Sequence, residues 1–150
     1  MTYNHTQKGR LMGFILLALI LLFAFILSST GFEPMAFATM LLVVIIVISF
    51  TTLNVTIDEN YLGIKFGYGI FRKKFPLNEI ISAKTVKNHW YYGWGIRLWL
   101  WPKMWIFNVS GFDAVEIKMK NNKIYRIGTD EPKELERAIL ESANLKIAEF

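Results

Sequence analysis

Two apolar runs, residues 11–27 and 35–53, contain no Asp, Glu, Lys or Arg and are separated only by residues 28–34. At about 1.5 Å per residue they reach roughly 25 and 28 Å, close to the ~30 Å hydrocarbon layer of a bilayer, and so predict a transmembrane helical hairpin. The first run holds 13 Leu, Ile or Phe and the second 11 Leu, Ile, Val or Phe. At about −0.3 to −0.6 kcal/mol each, insertion gains at most roughly −3 to −8 kcal/mol per run. A cleaved signal peptide is the rival reading of the first run, with Lys8 and Arg10 before it and Ser28, Ser29 and Thr30 behind. The run is longer than the 7–15 residues typical of such a peptide, and a second apolar run follows at once.

After residue 53 the period changes. Leu53, Val55 and Ile57 alternate with polar residues, as do Leu62, Ile64 and Phe66 beyond the turn at Asp58, Glu59 and Asn60. That is the pattern of half-buried strands joined in a hairpin. Gly67 and Gly69 permit a reversal into a strand over residues 70–75, and Pro76 to Glu79 break the pattern before a strand over 80–86. Val115, Ile117 and Met119 alternate with Glu116, Lys118 and Lys120, and Asn121-Asn122 predicts a tight turn into a strand over 123–127. At the end the period becomes helical: Asp130 is placed to cap, Pro132 suits a first turn, and Leu135, Ala138, Ile139 and Ser142 share a face. The chain therefore divides into an amino-terminal tail (1–10), a hairpin (11–53) and one domain (54–150) of six or seven mainly antiparallel strands closed by a helix. This is the layout of a pleckstrin-homology-like barrel.

Basic residues orient the hairpin. Lys8 and Arg10 precede it, the connecting loop has no Lys or Arg, and Lys65, Arg72, Lys73 and Lys74 follow, so both termini are expected in the cytoplasm. From residue 58 to 126 there are 12 Lys or Arg against 5 Asp or Glu, whereas residues 127–150 carry 3 against 6. A cationic face close to anionic lipid headgroups gains about 1 kcal/mol per Lys or Arg, which makes Arg72, Lys73 and Lys74 candidate contacts; a merely solvated strand face is the equal alternative. Nucleic acid is a poor partner for this chain, since no recognition motif accompanies the basic balance.

The densest aromatic stretch is Trp90, Tyr91, Tyr92, Trp94, Trp99, Trp101, Trp105 and Phe107, eight rings within 18 residues. If residues 96–101 form a strand, Ile96, Leu98 and Leu100 point to the core and Arg97, Trp99 and Trp101 point away from it. Trp90, Tyr91, Trp94, Arg97, Trp99, Trp101 and Trp105 are thus candidates for a membrane surface, for packing within the fold, or for a protein interface. Catalysis finds little support. His5, expected in a mobile tail, and His89 lack the partner spacing of a triad or metal site, and with no cysteine there is no thiol ligand. No cofactor motif is present: Gly67-Tyr68-Gly69 and Gly93-Trp94-Gly95 read as turns.

Three segments, Trp90-Tyr91-Tyr92-Gly93-Trp94-Gly95-Ile96-Arg97, residues 105–117 and Tyr125-Arg126-Ile127-Gly128-Thr129-Asp130-Glu131-Pro132, resemble the bacterial PH-domain membrane proteins. The resemblance covers roughly residues 52–140 and implies a PH-like fold in the bacterial inner membrane, with no catalytic or ligand residues to transfer. It does not carry phosphoinositide binding, because the first turn is acidic. The expectation is a non-catalytic membrane protein whose domain binds lipid or protein, or assembles with its own copies; the alternative is an accessory subunit of a transporter or envelope-lipid pathway.

Overall fold

In the computed structural model, which describes residues 2–145, the polypeptide forms two β-sheets, a carboxy-terminal helix and a pair of apolar helices. The first sheet is antiparallel, in the order β1 (Tyr3–Lys8), β2 (Thr52–Ile57), β3 (Tyr61–Phe66), β4 (Phe71–Pro76). Its alternation delivers Leu53, Val55, Ile57, Leu62, Ile64 and Phe66 to the core, as their spacing predicts. The second sheet contains β5 (Ile80–Lys87), β6 (Gly95–Leu100), β7 (Lys103–Asn108), β8 (Asp113–Met119) and β9 (Ile124–Gly128), in the order β5-β8-β9-β7-β6. The inner faces of the two sheets share one core, capped by Leu135, Ala138, Ile139 and Leu140 of α3 (Pro132–Ser142).

Three features depart from expectation. The segment read as a tail is a strand: β1 pairs with β2 in register from Tyr3↔Ile57 to Lys8↔Thr52, so its polar side chains occupy a sheet edge. Consequently His5 is held rather than mobile, with Nε2 2.6 Å from Asp130 Oδ1 and Nδ1 3.3 Å from Glu131 Oε2. Asp130 is therefore spent on His5 and does not cap α3; Glu131 occupies the cap position without a side-chain cap bond, and its N–H donates to Thr129 Oγ1 at 3.1 Å. Among the described residues eight strands, β2 to β9, follow the helices where six or seven were expected, and β7 runs parallel to β9, a pairing that alternation cannot reveal.

The apolar runs become α1 (Arg10–Thr30) and α2 (Pro34–Ser49), which pack on each other across a three-residue link. α1 is long and apolar enough to cross a bilayer, with a mean hydropathy of 2.9; α2, at 16 residues, is a shorter apolar helix. The second run does not stay helical to residue 53, because Thr52–Ile57 joins the sheet and Leu53 is fully buried in the core. Proline opens α2 where its missing N–H costs nothing.

Both helices meet the sheet at one point. The Gly9 N–H donates to Thr51 O at 2.6 Å, Gly67 N–H donates to Thr52 O at 2.9 Å, and Gln7 Nε2 donates to Ser110 O at 3.0 Å. Phe50, just past α2, stacks on Phe71 at 5.1 Å and meets Phe66 edge-on at 5.4 Å. This junction defines a near end of the domain, comprising the β3–β4 turn and the loops at residues 93–95 and 108–112. Strand direction then puts the Asp58–Asn60 turn, the β6–β7 turn and the β8–β9 turn at the far end.

Candidate membrane and partner interface

The near end carries an apolar tip. Between β3 and β4 the chain turns through Gly67 (φ +47°) and Gly69 (φ +90°), conformations that side chains disfavour. Gly67 is also in contact with the helix end: a Cβ there would stand 2.6 Å from Ser49 O. The turn is thereby pressed against α2, and it projects Tyr68 and Ile70, 81% and 62% exposed, beside the helices. Phe71 and, on the opposite loop, Phe112 are exposed at the same level. Trp94 packs on Phe112 at 6.4 Å, and Arg97 Nε donates weakly to Trp94 O at 3.4 Å.

Cations stand beside this collar. Lys8 ends β1, and Lys65 lies directly opposite Arg72 on the β3–β4 ladder. Like charges facing each other destabilise a sheet unless an anion intervenes, and neither makes an ion pair among the described residues. Lys74 shares their outward face and lies 5.6 Å from the Tyr61 ring centroid. Lys73 does not: it pairs with Ile64 and points inward, so the basic triplet is split between two faces. Period-two alternation would have placed Lys73 with Phe71 and Phe75, and a Tyr and an Ile in a glycine turn were the overlooked signal for the tip.

The aromatic stretch is likewise divided. β6 alternates as expected, with Ile96, Leu98 and Leu100 opposite Phe107, Trp105 and Lys103, but only Ile96 reaches the core. Leu98 and Leu100 face inward past the edge of the first sheet, where they are 42% and 74% exposed. Trp99, expected outside, is half-buried on the other face with Tyr92, Met104, Ile106 and Ile124. It contacts Tyr92 at 4.7 Å and Tyr91 at 5.5 Å, and its Nε1 donates to Trp101 O at 2.8 Å. Arg126 pins the Tyr92 loop: its guanidinium lies 5.6 Å from the Tyr92 ring centroid, bonds Glu116 at 2.8 Å and reaches Asn88 at 3.4 Å. His89 stacks on Tyr91 at 4.9 Å.

Trp101 is 89% exposed at the tip of the β6–β7 turn, and Trp90 is also exposed on the outer loop. Five residue steps separate Gly95 from Leu100, so at about 3.3 Å each the Trp101 turn stands roughly 17 Å beyond the near end. The ten sequence-predicted contacts therefore fall into separate groups: Arg72, Trp94 and Arg97 towards the helices, Lys74 farther along the same outward face as Arg72, Lys73 and Trp105 at an inner cleft, Trp90, Tyr91 and Trp99 on the outer face, and Trp101 at the far tip. The acidic turn is also at the far end, where Asp58 Oδ1 accepts the Asn60 and Tyr61 N–H groups at 3.0 and 2.7 Å. Those two bonds, and then the Lys74 charge, hold the Asp58 carboxyl below its ordinary pKa.

Comparison with known proteins finds no family model, no curated protein and no solved structure that matches this chain. Its class rests on the geometry alone: a two-sheet β domain with a carboxy-terminal helix, joined to an apolar helix pair.

Proposed function

We propose that this is a non-catalytic integral membrane protein of the bacterial inner membrane, with α1 and α2 spanning as a hairpin and a PH-like domain on the cytoplasmic face. The observation that carries the reading is α1: 21 residues, without one buried side chain and with no acidic residue. Such a surface in water would leave an apolar area far larger than a soluble monomer exposes. The 16 residues of α2 rise about 24 Å, short of the ~30 Å core, a mismatch that tilt and local thinning accommodate at modest cost. Tyr68, Ile70 and Phe71 enter the headgroup zone beside α2, with Lys8, Lys65 and Arg72 facing anionic lipid. Both termini are cytoplasmic because the basic residues flank the hairpin.

The far end supports a second contact. Leu98, Leu100 and Trp101 lie on or beside the free edge of β6, too far out to reach the same leaflet, and such an edge favours a protein partner, either a second copy or a larger membrane complex. The accessory-subunit reading differs only in which partner it is.

The experiment is extraction and topology of the full chain. It should resist alkaline carbonate, and a carboxy-terminal tag should be reached by protease only after the membrane is opened; release into the wash, or cleavage in intact cells, refutes the spanning reading. Purification in mild detergent then identifies the partner, and Leu100→Ser with Trp101→Ser should lose it while Tyr68→Ser and Ile70→Ser retain it.

A further inference from the structure

β4 and β6 are each an edge strand of their sheet, and they do not bond to each other. Between them, beside the helix junction, lies a cleft of about 260 Å³. Its floor is Ile64, Phe66 and Phe107, all buried, its far wall is Ile96 and Trp105, and Ile70 and Phe71 stand at its mouth on the helix side. Its volume falls below the roughly 300–1,000 Å³ of ordinary small-molecule pockets, which leaves room for one slender chain and none for a two-chain lipid.

One cation enters this apolar space. Lys73 crosses from the edge of the first sheet to the inner face of the second, and its ammonium sits 4.7 Å from the Tyr125 ring centroid, 5.7 Å from Phe75 and 6.0 Å from Trp105. Aromatic faces offset part of its desolvation, but among the described residues no carboxylate lies within ion-pair distance of it or of Arg72, which also lines the cleft. The arrangement is an apolar slot with one uncompensated positive charge inside it, that of Lys73, and Arg72 on the outward side of the same edge strand, opening towards the exposed apolar tip and the helices.

We propose that this cleft binds a single-chain anionic amphiphile, with its acidic head at Lys73 and its tail running back along Phe66 and Ile96 towards the helix junction. The proposal rests on the membrane reading above, since the bilayer supplies such molecules and the mouth faces it. Head and tail are recognised separately: the charge by Lys73, the chain by the floor.

The test is photolabelling of the full chain in lipid nanodiscs with three diazirine-bearing twelve-carbon probes: dodecanoate, dodecanol and a lysophosphatidate. Labelled peptides are mapped by mass spectrometry. The acids should label segments 64–71 and 96–107 in preference to the alcohol, and the stronger of the two identifies the head as carboxylate or phosphate. Lys73→Gln should cut that labelling about tenfold or more, the loss expected of one charge-assisted contact, while Lys73→Arg retains it and so excludes misfolding. Equal labelling by acid and alcohol, indifference to Lys73→Gln, or labelling confined to α1 and α2 would overturn the site. Failure of the membrane reading has a different signature, because the neutral alcohol would then leave α1 and α2 unlabelled.

Discussion

Gly67→Ala tests whether the β3–β4 turn is fixed to the end of α2, on which the position of the apolar tip depends. The new methyl would stand 2.6 Å from Ser49 O, 2.9 Å from its Cα and 3.0 Å from its carbonyl carbon. These are backbone atoms in the last turn of a helix, where the Phe50 and Thr51 N–H groups bond Val47 O and Ile48 O at 3.0 and 3.1 Å, so no rotamer change relieves the overlap. The turn must open, with loss of the Gly67 N–H bond to Thr52 O, worth about 0.5–1.5 kcal/mol net. The left-handed backbone adds about 1–2 kcal/mol for any residue with a Cβ. Together the expected loss is about 1.5–3.5 kcal/mol. Gly111→Ala is the control: its φ of +66° carries the same backbone cost, but among the described residues none beyond its chain neighbours comes within 4 Å of the added methyl. Urea unfolding of the full chain in detergent, followed by tryptophan fluorescence, should rank Gly67→Ala below Gly111→Ala, and amide exchange should accelerate at residues 66–71. If the two variants are equally stable, the turn does not rest on the helix and the tip is not held beside it.

Other outcomes follow from burial and charge. Leu135→Ala removes a fully buried side chain from under α3 and should cost about 2–5 kcal/mol in the same unfolding assay. Tyr3 has its pKa pushed up to about 12, first by burial and then by the Glu131 charge. Because the unfolded phenol ionises near 10, this contribution is complete below that pH and is lost as pH rises towards 12; Tyr3→Phe should flatten that part of a stability–pH profile relative to the parent. Trp101→Ser should change stability by less than about 0.5 kcal/mol, because the ring touches little, and a large loss would mean that the far tip is packed rather than presented. Asp58→Ala should loosen the β2–β3 turn, seen as faster amide exchange at Asn60 and Tyr61, the two N–H groups its carboxylate holds.

Local pattern carried much of the fold. Strands β2, β3 and β8 and helix α3 were legible because each has one buried face, and a period of two or of 3.6 reports that face directly; β5 was bounded by the break at Pro76 to Glu79 instead, since a register shift sets its buried Ile80 and Ala83 three apart. β1 was not, since Asn4, Thr6 and Lys8 alternate with Tyr3, His5 and Gln7 without hydrophobic contrast, and its partner begins 44 positions after Lys8. β7 was obscured for the opposite reason: Met104 and Ile106 are buried under the Tyr92 loop while Phe107 faces the core, so both faces are apolar and alternation disappears. The candidate contacts were named as residue types and left unsorted as places. Which end of β6 lies near the helices depends on the pairing of Gly95 with Asn108 and on the closeness of Val109 to Gly9, and neither is encoded in neighbouring residues.

The pairing of β1 with β2 makes the two helices the loop of a β-hairpin. β1 is synthesised before α1, yet the strand it needs is translated only after α2, so the first sheet cannot close until both helices have found their surroundings. A copy whose helices are misplaced would keep Tyr3–Lys8 and the edge of β2 unmated, and would present an open backbone edge to proteases. On the proposed membrane reading, insertion of the helices and a finished sheet thus become a single checkpoint in the biogenesis of the chain.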